Sequence, residues 1–185
     1  MGDDQLKWTE LDRRTLFDAR IFSVTNRVCL SPEGRREPFT VIETNDWVVV
    51  VPVLDGGEAF FMVRQWRHGS REISVEFPGG VIEARESPLE GAARELREET
   101  GCVAGKLTKL GVMSPNPAIM SNRVHFFLAE DITVAGDLQP DKDEFITAER
   151  ISAAEVTRGV GSPPYIHALT ATALCFYMRL NRQKV

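Results

Sequence analysis

The run WVVVVPVL, residues 47–54, constrains the fold more than any other stretch of this chain. It is apolar throughout, as a central strand covered on both faces would be. A chain that holds such a strand must supply a layer to either side of it. The flanking sequence supplies partners first. FSVTNRVCL (22–30), PFTVIET (38–44) and AFFMVRQW (59–66) are strand candidates with a period near two. SPEG (31–34) and LDGGE (54–58) are turns rich in residues that tolerate positive φ.

The period then changes. Ser87, Pro88 and Glu90 form a helix start: a capping serine, proline in the first turn and glutamate at the capping-box position. Gly101 is a natural stop. Strands are expected again at 107–113, 122–129 and 143–150. Ser152 with Glu155 reads as a second capping box. Ser162-Pro163 reads as the opening of a last helix, with Ile166, Leu169, Ala173, Leu174, Tyr177 and Leu180 as its core-facing stripe. Strands, helix, strands, helices make a mixed α/β (α+β) sandwich around a sheet.

Composition narrows the function classes. The chain has 185 residues, enough for one domain with a substantial core, with 43% hydrophobic and 26% charged residues. A net charge of -5 argues against nucleic acid as a partner. Cys29, Cys102 and Cys175 lack metal or redox spacing and read as plain buried thiols of a reducing compartment. The polar start MGDDQLKW is unlike a secretory signal, and no apolar run is long enough to span a membrane. A cytoplasmic protein without membrane contact is the expectation.

The helix after Gly79-Gly80 carries the chemistry. At about 100° per residue, Glu95, Glu98 and Glu99 fall within roughly one 100° arc, while Leu89, Ala92, Ala93 and Leu96 form an adjoining face for the sheet. Alone, a Glu-rich helix is usually a solvated face. Here the glycine pair lets backbone approach a ligand closely, and Glu86 stands between the two. Clustered carboxylates repel one another unless a cation intervenes. Mg²⁺ takes one or two protein carboxylates and completes its octahedron with substrate phosphates and water. Arg94 can hold one carboxylate in place.

Gly80, Glu86 and the run Arg94-Glu95-Leu96-Arg97-Glu98-Glu99-Thr100-Gly101-Cys102 match every fixed position of the Nudix hydrolase signature. The resemblance extends over nearly the whole chain and implies an α/β/α sandwich with a mixed sheet (residues 46–185) behind an N-terminal antiparallel strand region (1–45). It implies hydrolysis of a nucleoside diphosphate linked to another moiety, with Mg²⁺ or Mn²⁺. Carried over, Glu95 and Glu99 would be the main metal ligands, Glu98 a further ligand or bridge, and the Gly79 carbonyl a contributor. Glu86 and Arg94 would support them.

Outside the signature the chain resembles the ADP-ribose pyrophosphatase branch. Arg64-Gln65-Trp66-Arg67 precedes Glu76-Phe77-Pro78-Gly79-Gly80, and Arg64, Arg67 and Gly80 would meet the substrate diphosphate. An acid of the 141–146 stretch, Glu144 first and Asp143 second, would be the general base. The strand region would be exchanged in a homodimer. Pro117 also fits the branch, but SPNPAIMSNRVHFF lacks the glycine-aromatic-acidic loop of many ADP-ribose enzymes, so GDP-mannose, another nucleotide sugar or a dinucleotide stays open as substrate. A non-catalytic nucleotide-binding module is the alternative from another class. Trp47 and Trp66 read as core more readily than as adenine platforms. His125 reads as structural; His68 and His167 carry no assignment.

Overall fold

The computed structural model describes residues 2–139 and 145–182, which form two compact units. One comprises Met1–Asn45 with Ser114–Arg123; the other comprises Asp46–Met113 with Val124–Val185.

The first unit is an antiparallel sheet of β1 (Thr9–Asp18), β2 (Ser23–Leu30) and β3 (Arg36–Glu43), in that order. Arg13 and Arg27 lie directly opposite each other in the β1–β2 register. Two like charges there would repel, and carboxylates from either side resolve it. Glu43 accepts from Arg27 at 2.8 Å and from Arg13 at 3.0 Å, and Glu10 accepts from Arg13 at 2.8 Å. The hydrogen bond from Arg27 holds the Glu43 carboxyl below its usual range. The segment Ser114–Arg123 joins this unit through backbone bonds between Ile42 and Ile119 (2.7 Å) and between Ser121 and Ile42 (3.1 Å).

The second unit is built on a mixed six-stranded sheet. Its path is β6 (Glu72–Glu76), β5 (Ala59–Arg67), β4 (Trp47–Leu54), β8 (Val124–Val134) and β7 (Cys102–Met113), with β9 (Ile146–Ser152) also paired to β5. Among the described strand pairs of this sheet only β4–β8 is parallel. The apolar run WVVVVPVL is β4, and both of its faces are covered. Val48 and Val50 pack with Ala92 and Leu96 of α1 (Pro88–Thr100), while Val49 and Val51 pack with Ala173, Leu174 and Tyr177 of α3 (Ala168–Arg182). Val156 of α2 (Ala153–Gly159) joins the α3 side. This is the expected α/β/α sandwich. Phe60, fully buried between Phe77 and Tyr177 in edge-to-face contact, contributes about 2–3 kcal/mol by burial.

Several local expectations need correction. The last helix begins at Ala168 rather than at Ser162-Pro163. Proline disfavours helical backbone before it, and the Pro164 carbonyl instead accepts from Val75 N–H at 2.9 Å, so this stretch runs along the outer edge of β6. Ser152 caps α2, but Glu155 turns away from a reciprocal box and accepts from Tyr165 Oη at 2.7 Å. Burial, then that hydrogen bond, pushes the Tyr165 hydroxyl up to about 12. On α1, Leu89 and Ala93 are exposed, and the buried side is Gly91, Ala92, Glu95, Leu96, Glu99 and Thr100. Of the cysteines only Cys102 is buried; Cys29 is half-buried and Cys175 exposed. Trp47 packs against the core as expected, whereas Trp66 is exposed. Among the described residues, no helix is long and apolar enough to cross a membrane.

Candidate active site

The site grows from a gap in the sheet. β4 and β5 pair only at their hairpin end, through Val53–Phe60 and Leu54–Ala59. Beyond that point the segment 78–82 takes the place of β5 beside β4. Val50 N–H donates to the Pro78 carbonyl, Val48 N–H to the Gly80 carbonyl and Ile82 N–H to the Asp46 carbonyl, each at 2.9 Å. Gly79 fits because it lacks a side chain: a Cβ there would fall on the Val48 carbonyl oxygen. The loop is thus fixed by the central strand of the fold.

α1 delivers its carboxylates to this loop. Ser87 and Glu90 form the capping box at its start, and Gly101 closes it in the left-handed region at φ 68°. Ala92 and Leu96 bury one stripe against the sheet, and the adjacent positions Glu95 and Glu99 go inward with them. Glu99 is 2% exposed, and its carboxylate accepts from Gly79 N–H at 2.8 Å. Glu95 lies against Gly80 so closely that a Cβ there would overlap its carboxylate.

Arg94 organises the rest. Its guanidinium donates to both oxygens of Glu86 (2.9 and 3.0 Å), to Glu95 at 2.9 Å, to Glu98 at 2.8 Å and to the Val81 carbonyl at 2.9 Å. These hydrogen bonds, the one to Glu86 first, raise the Arg94 pKa well above its usual value. In return Arg94 holds the Glu86 carboxyl below the ordinary range. Glu86 also accepts from Glu83 N–H at 3.0 Å, which ties the loop back on itself.

The donor set suits a hard divalent cation: buried carboxylates from Glu95 and Glu99, a third from Glu98, and backbone brought close by two glycines. Among the described residues, no three acidic, histidine or cysteine side chains are already gathered into a cation cage. Arg94 supplies the positive charge between Glu95 and Glu98. A cation that draws most of its ligands from phosphate and water needs no closed protein cage.

The two strand arginines part company. Phe60 and Met62 face the α3 side, and Phe61 packs on the α1 side. The pleat alternates, so Arg64 belongs to the first face and Arg67 to the second. Arg64 pairs with Glu149 at 2.8 Å. Arg67 pairs with Glu76, and His167 Nδ1 reaches the same carboxylate at 2.9 Å. Glu76 and His167 were not expected from the sequence as a pair. The available signal was a charged residue between Val75 and Phe77, where burial demands a partner. His125 pairs with Asp46 at 2.9 Å. Asp143 and Glu144 lie outside the described residues.

Burial pushes the Glu76 carboxyl up, but hydrogen bonds from Arg67 and His167 outweigh this and bring it to about 2. Its folded pKa is therefore depressed. The resulting stability is fully present above the unfolded value of about 4.5 and fades as pH falls toward about 2. Its size is on the order of 3 kcal/mol. Urea unfolding of the wild type and Glu76→Gln should show a gap at pH 7 that narrows by pH 3; a gap constant with pH would contradict this.

A second substitution tests the loop. Gly80→Ala should push the Glu95 carboxylate aside and lower turnover by roughly 10²-fold, as an ångström-scale misplacement can. Steady-state kinetics beside a thermal melt would separate this from unfolding.

Layers on both faces of a mixed sheet and a carboxylate helix docked on a glycine loop define the class of protein to compare with. The NUDIX domain model matches residues 44–169, and the chain belongs to the Nudix hydrolases. It is 31% identical over 163 residues to the ADP-ribose pyrophosphatase of Bacillus subtilis, covering 88% of each chain. It is 28% identical to the ADP compounds hydrolase NudE of Escherichia coli, covering 94% of this chain and 93% of that one. A crystal structure of an ADP compounds hydrolase superposes with a TM-score of 0.85 at 27% identity, covering 96% of both chains.

Proposed function

We propose that this hydrolase cleaves the pyrophosphate bond of a nucleoside diphosphate sugar with Mg²⁺ or Mn²⁺, and that ADP-ribose is its substrate, giving AMP and ribose 5-phosphate. The observation that carries the reading is the docking of Glu95 and Glu99 against the Gly79-Gly80 loop. Glu95, Glu99 and the Gly79 carbonyl would hold the cation, with Glu98 as a further ligand. When bound, it neutralises the diphosphate and polarises an attacking water. Arg94 keeps Glu86, Glu95 and Glu98 in register. Arg67 is the better diphosphate-binding arginine, because strand alternation puts it on the α1 side with the carboxylate helix and Arg64 on the opposite face; both are paired, Arg64 with Glu149 and Arg67 with Glu76. Glu144 or Asp143 would take the proton of the water.

The names and coverage of the Bacillus subtilis and Escherichia coli relatives support an ADP-containing substrate. A homodimer in the cytoplasm completes the proposal. Strand β1 is exposed along its whole length and shows Leu11, Leu16 and Phe17 to solvent, as an interface strand would. Analytical ultracentrifugation at micromolar concentration should give a dimer, and a monomer would refute that part. Substrate choice is decided by incubating the protein with ADP-ribose, GDP-mannose or a deoxynucleoside triphosphate and identifying products. AMP from ADP-ribose is expected; cleavage of another compound in its place would replace the substrate and leave the chemistry.

A further inference from the structure

One buried carboxylate has no part in the chemistry above. Glu76 closes β6 three residues before Gly79 and is 1% exposed. Both of its oxygens are engaged. Arg67 Nε donates to Oε1 at 2.8 Å and Arg67 Nη2 to Oε2 at 2.5 Å, a side-on pair; His167 Nδ1 meets Oε2 at 2.9 Å. The His167 side arrives from the stretch that runs along the outer edge of β6, anchored by the bond from Val75 to Pro164.

A side-on pair fixes the guanidinium plane. Arginine otherwise carries about 2 kcal/mol of rotamer entropy, which a ligand would have to freeze on binding. Glu76 and the glycine loop are consecutive on one backbone, and that loop is hydrogen-bonded to β4. The Arg67 guanidinium and the carboxylate cradle therefore take their positions from the same rigid element, as a preorganised site requires. We propose that Glu76 is a positioning residue that holds the Arg67 guanidinium ready for the substrate diphosphate, with His167 as a second clamp on the same carboxylate. This rests on the reading that the substrate carries a diphosphate and that Arg67 meets it.

The test is titration calorimetry of magnesium pyrophosphate into the full chain, for the wild type, Arg67→Ala, Glu76→Gln and the double variant. Arg67→Ala and Glu76→Gln should each weaken binding roughly tenfold, and the double variant should bind no more weakly than Arg67→Ala alone. That non-additivity marks Glu76 as acting through Arg67. His167→Ala gives a second line should Glu76→Gln fail to fold: a smaller loss that disappears in the Arg67→Ala background. The proposal is overturned if Glu76→Gln binds like the wild type, if the losses multiply, or if the wild type binds no pyrophosphate. Coupled losses in a chain that releases no AMP from ADP-ribose would retain the clamp and discard the substrate, so the two failures are distinguishable.

Discussion

Glu99→Gln is expected to lower Mg²⁺-dependent turnover by roughly 10³-fold with little change in melting temperature. Glu99 is nearly fully buried, yet it is held there by the Gly79 N–H, at 2.8 Å. A glutamine of the same shape can keep accepting that hydrogen bond through its carbonyl oxygen. What it cannot supply is the negative charge that a hard cation requires. The substitution therefore separates the structural use of this side chain from its electrostatic use. Steady-state kinetics over a wide Mg²⁺ range, beside a thermal melt, is the check. A variant that stays within tenfold of the wild type at saturating Mg²⁺ would remove Glu99 from the metal site. It would also reopen the reading of the chain as a nucleotide-binding module.

Arg94→Ala should have the second largest effect, and it should act on both stability and activity. Three carboxylates share this one guanidinium, at distances of 2.8 to 3.0 Å. Two of their owners, Glu86 and Glu95, have side chains only 13% and 11% exposed. Removing the shared cation leaves like charges crowded in a partly dry site, which costs about 3 kcal/mol or more. If a divalent cation binds these same carboxylates it would supply replacement charge, and Mg²⁺ should then raise the melting temperature of Arg94→Ala more than that of the wild type. Turnover should stay depressed even then, since Glu86 and the Val81 carbonyl lose their anchor. Calorimetric melts with and without Mg²⁺ would show it. Equal shifts in both proteins would mean that Arg94 and the cation do not act on a common set of carboxylates.

The parts of this protein that could be read from sequence are those where one local rule acts alone. The β4 run announced its two covers because eight apolar residues admit no solvent face, and Val48/Val50 and Val49/Val51 do divide between α1 and α3. The capped carboxylate helix was legible for a similar reason: Ser87, Glu90 and Gly101 are terminal signals whose geometry is self-contained.

Other parts were hidden because tertiary context overrode the local pattern. Strand β1 has no buried residue and carries two register irregularities, so no clean alternation marks it. Strand β6 is only five residues long and lies between a turn and the site loop. The α1 packing face was misassigned at Leu89 and Ala93 because the docking angle of a helix is fixed by its neighbours. That angle also buries Glu95 and Glu99, which a solvated helix face would not do. The division of Arg64 from Arg67, by contrast, follows from counting three positions along a pleat. The pairing of Glu76 with His167 depends on a contact across 91 residues of chain, and no window of sequence reveals it.

The central claim is that Glu95 and Glu99, docked on the Gly79-Gly80 loop, form a cradle for a divalent cation. Its most direct test is Mn²⁺ binding followed by electron paramagnetic resonance, comparing the wild type with the Glu95→Gln/Glu99→Gln variant. The wild type should deplete the free Mn²⁺ signal saturably, and the double variant should leave it essentially undiminished. Equal depletion by a double variant that is folded, as judged by its melt, would place the cation elsewhere and contradict the account.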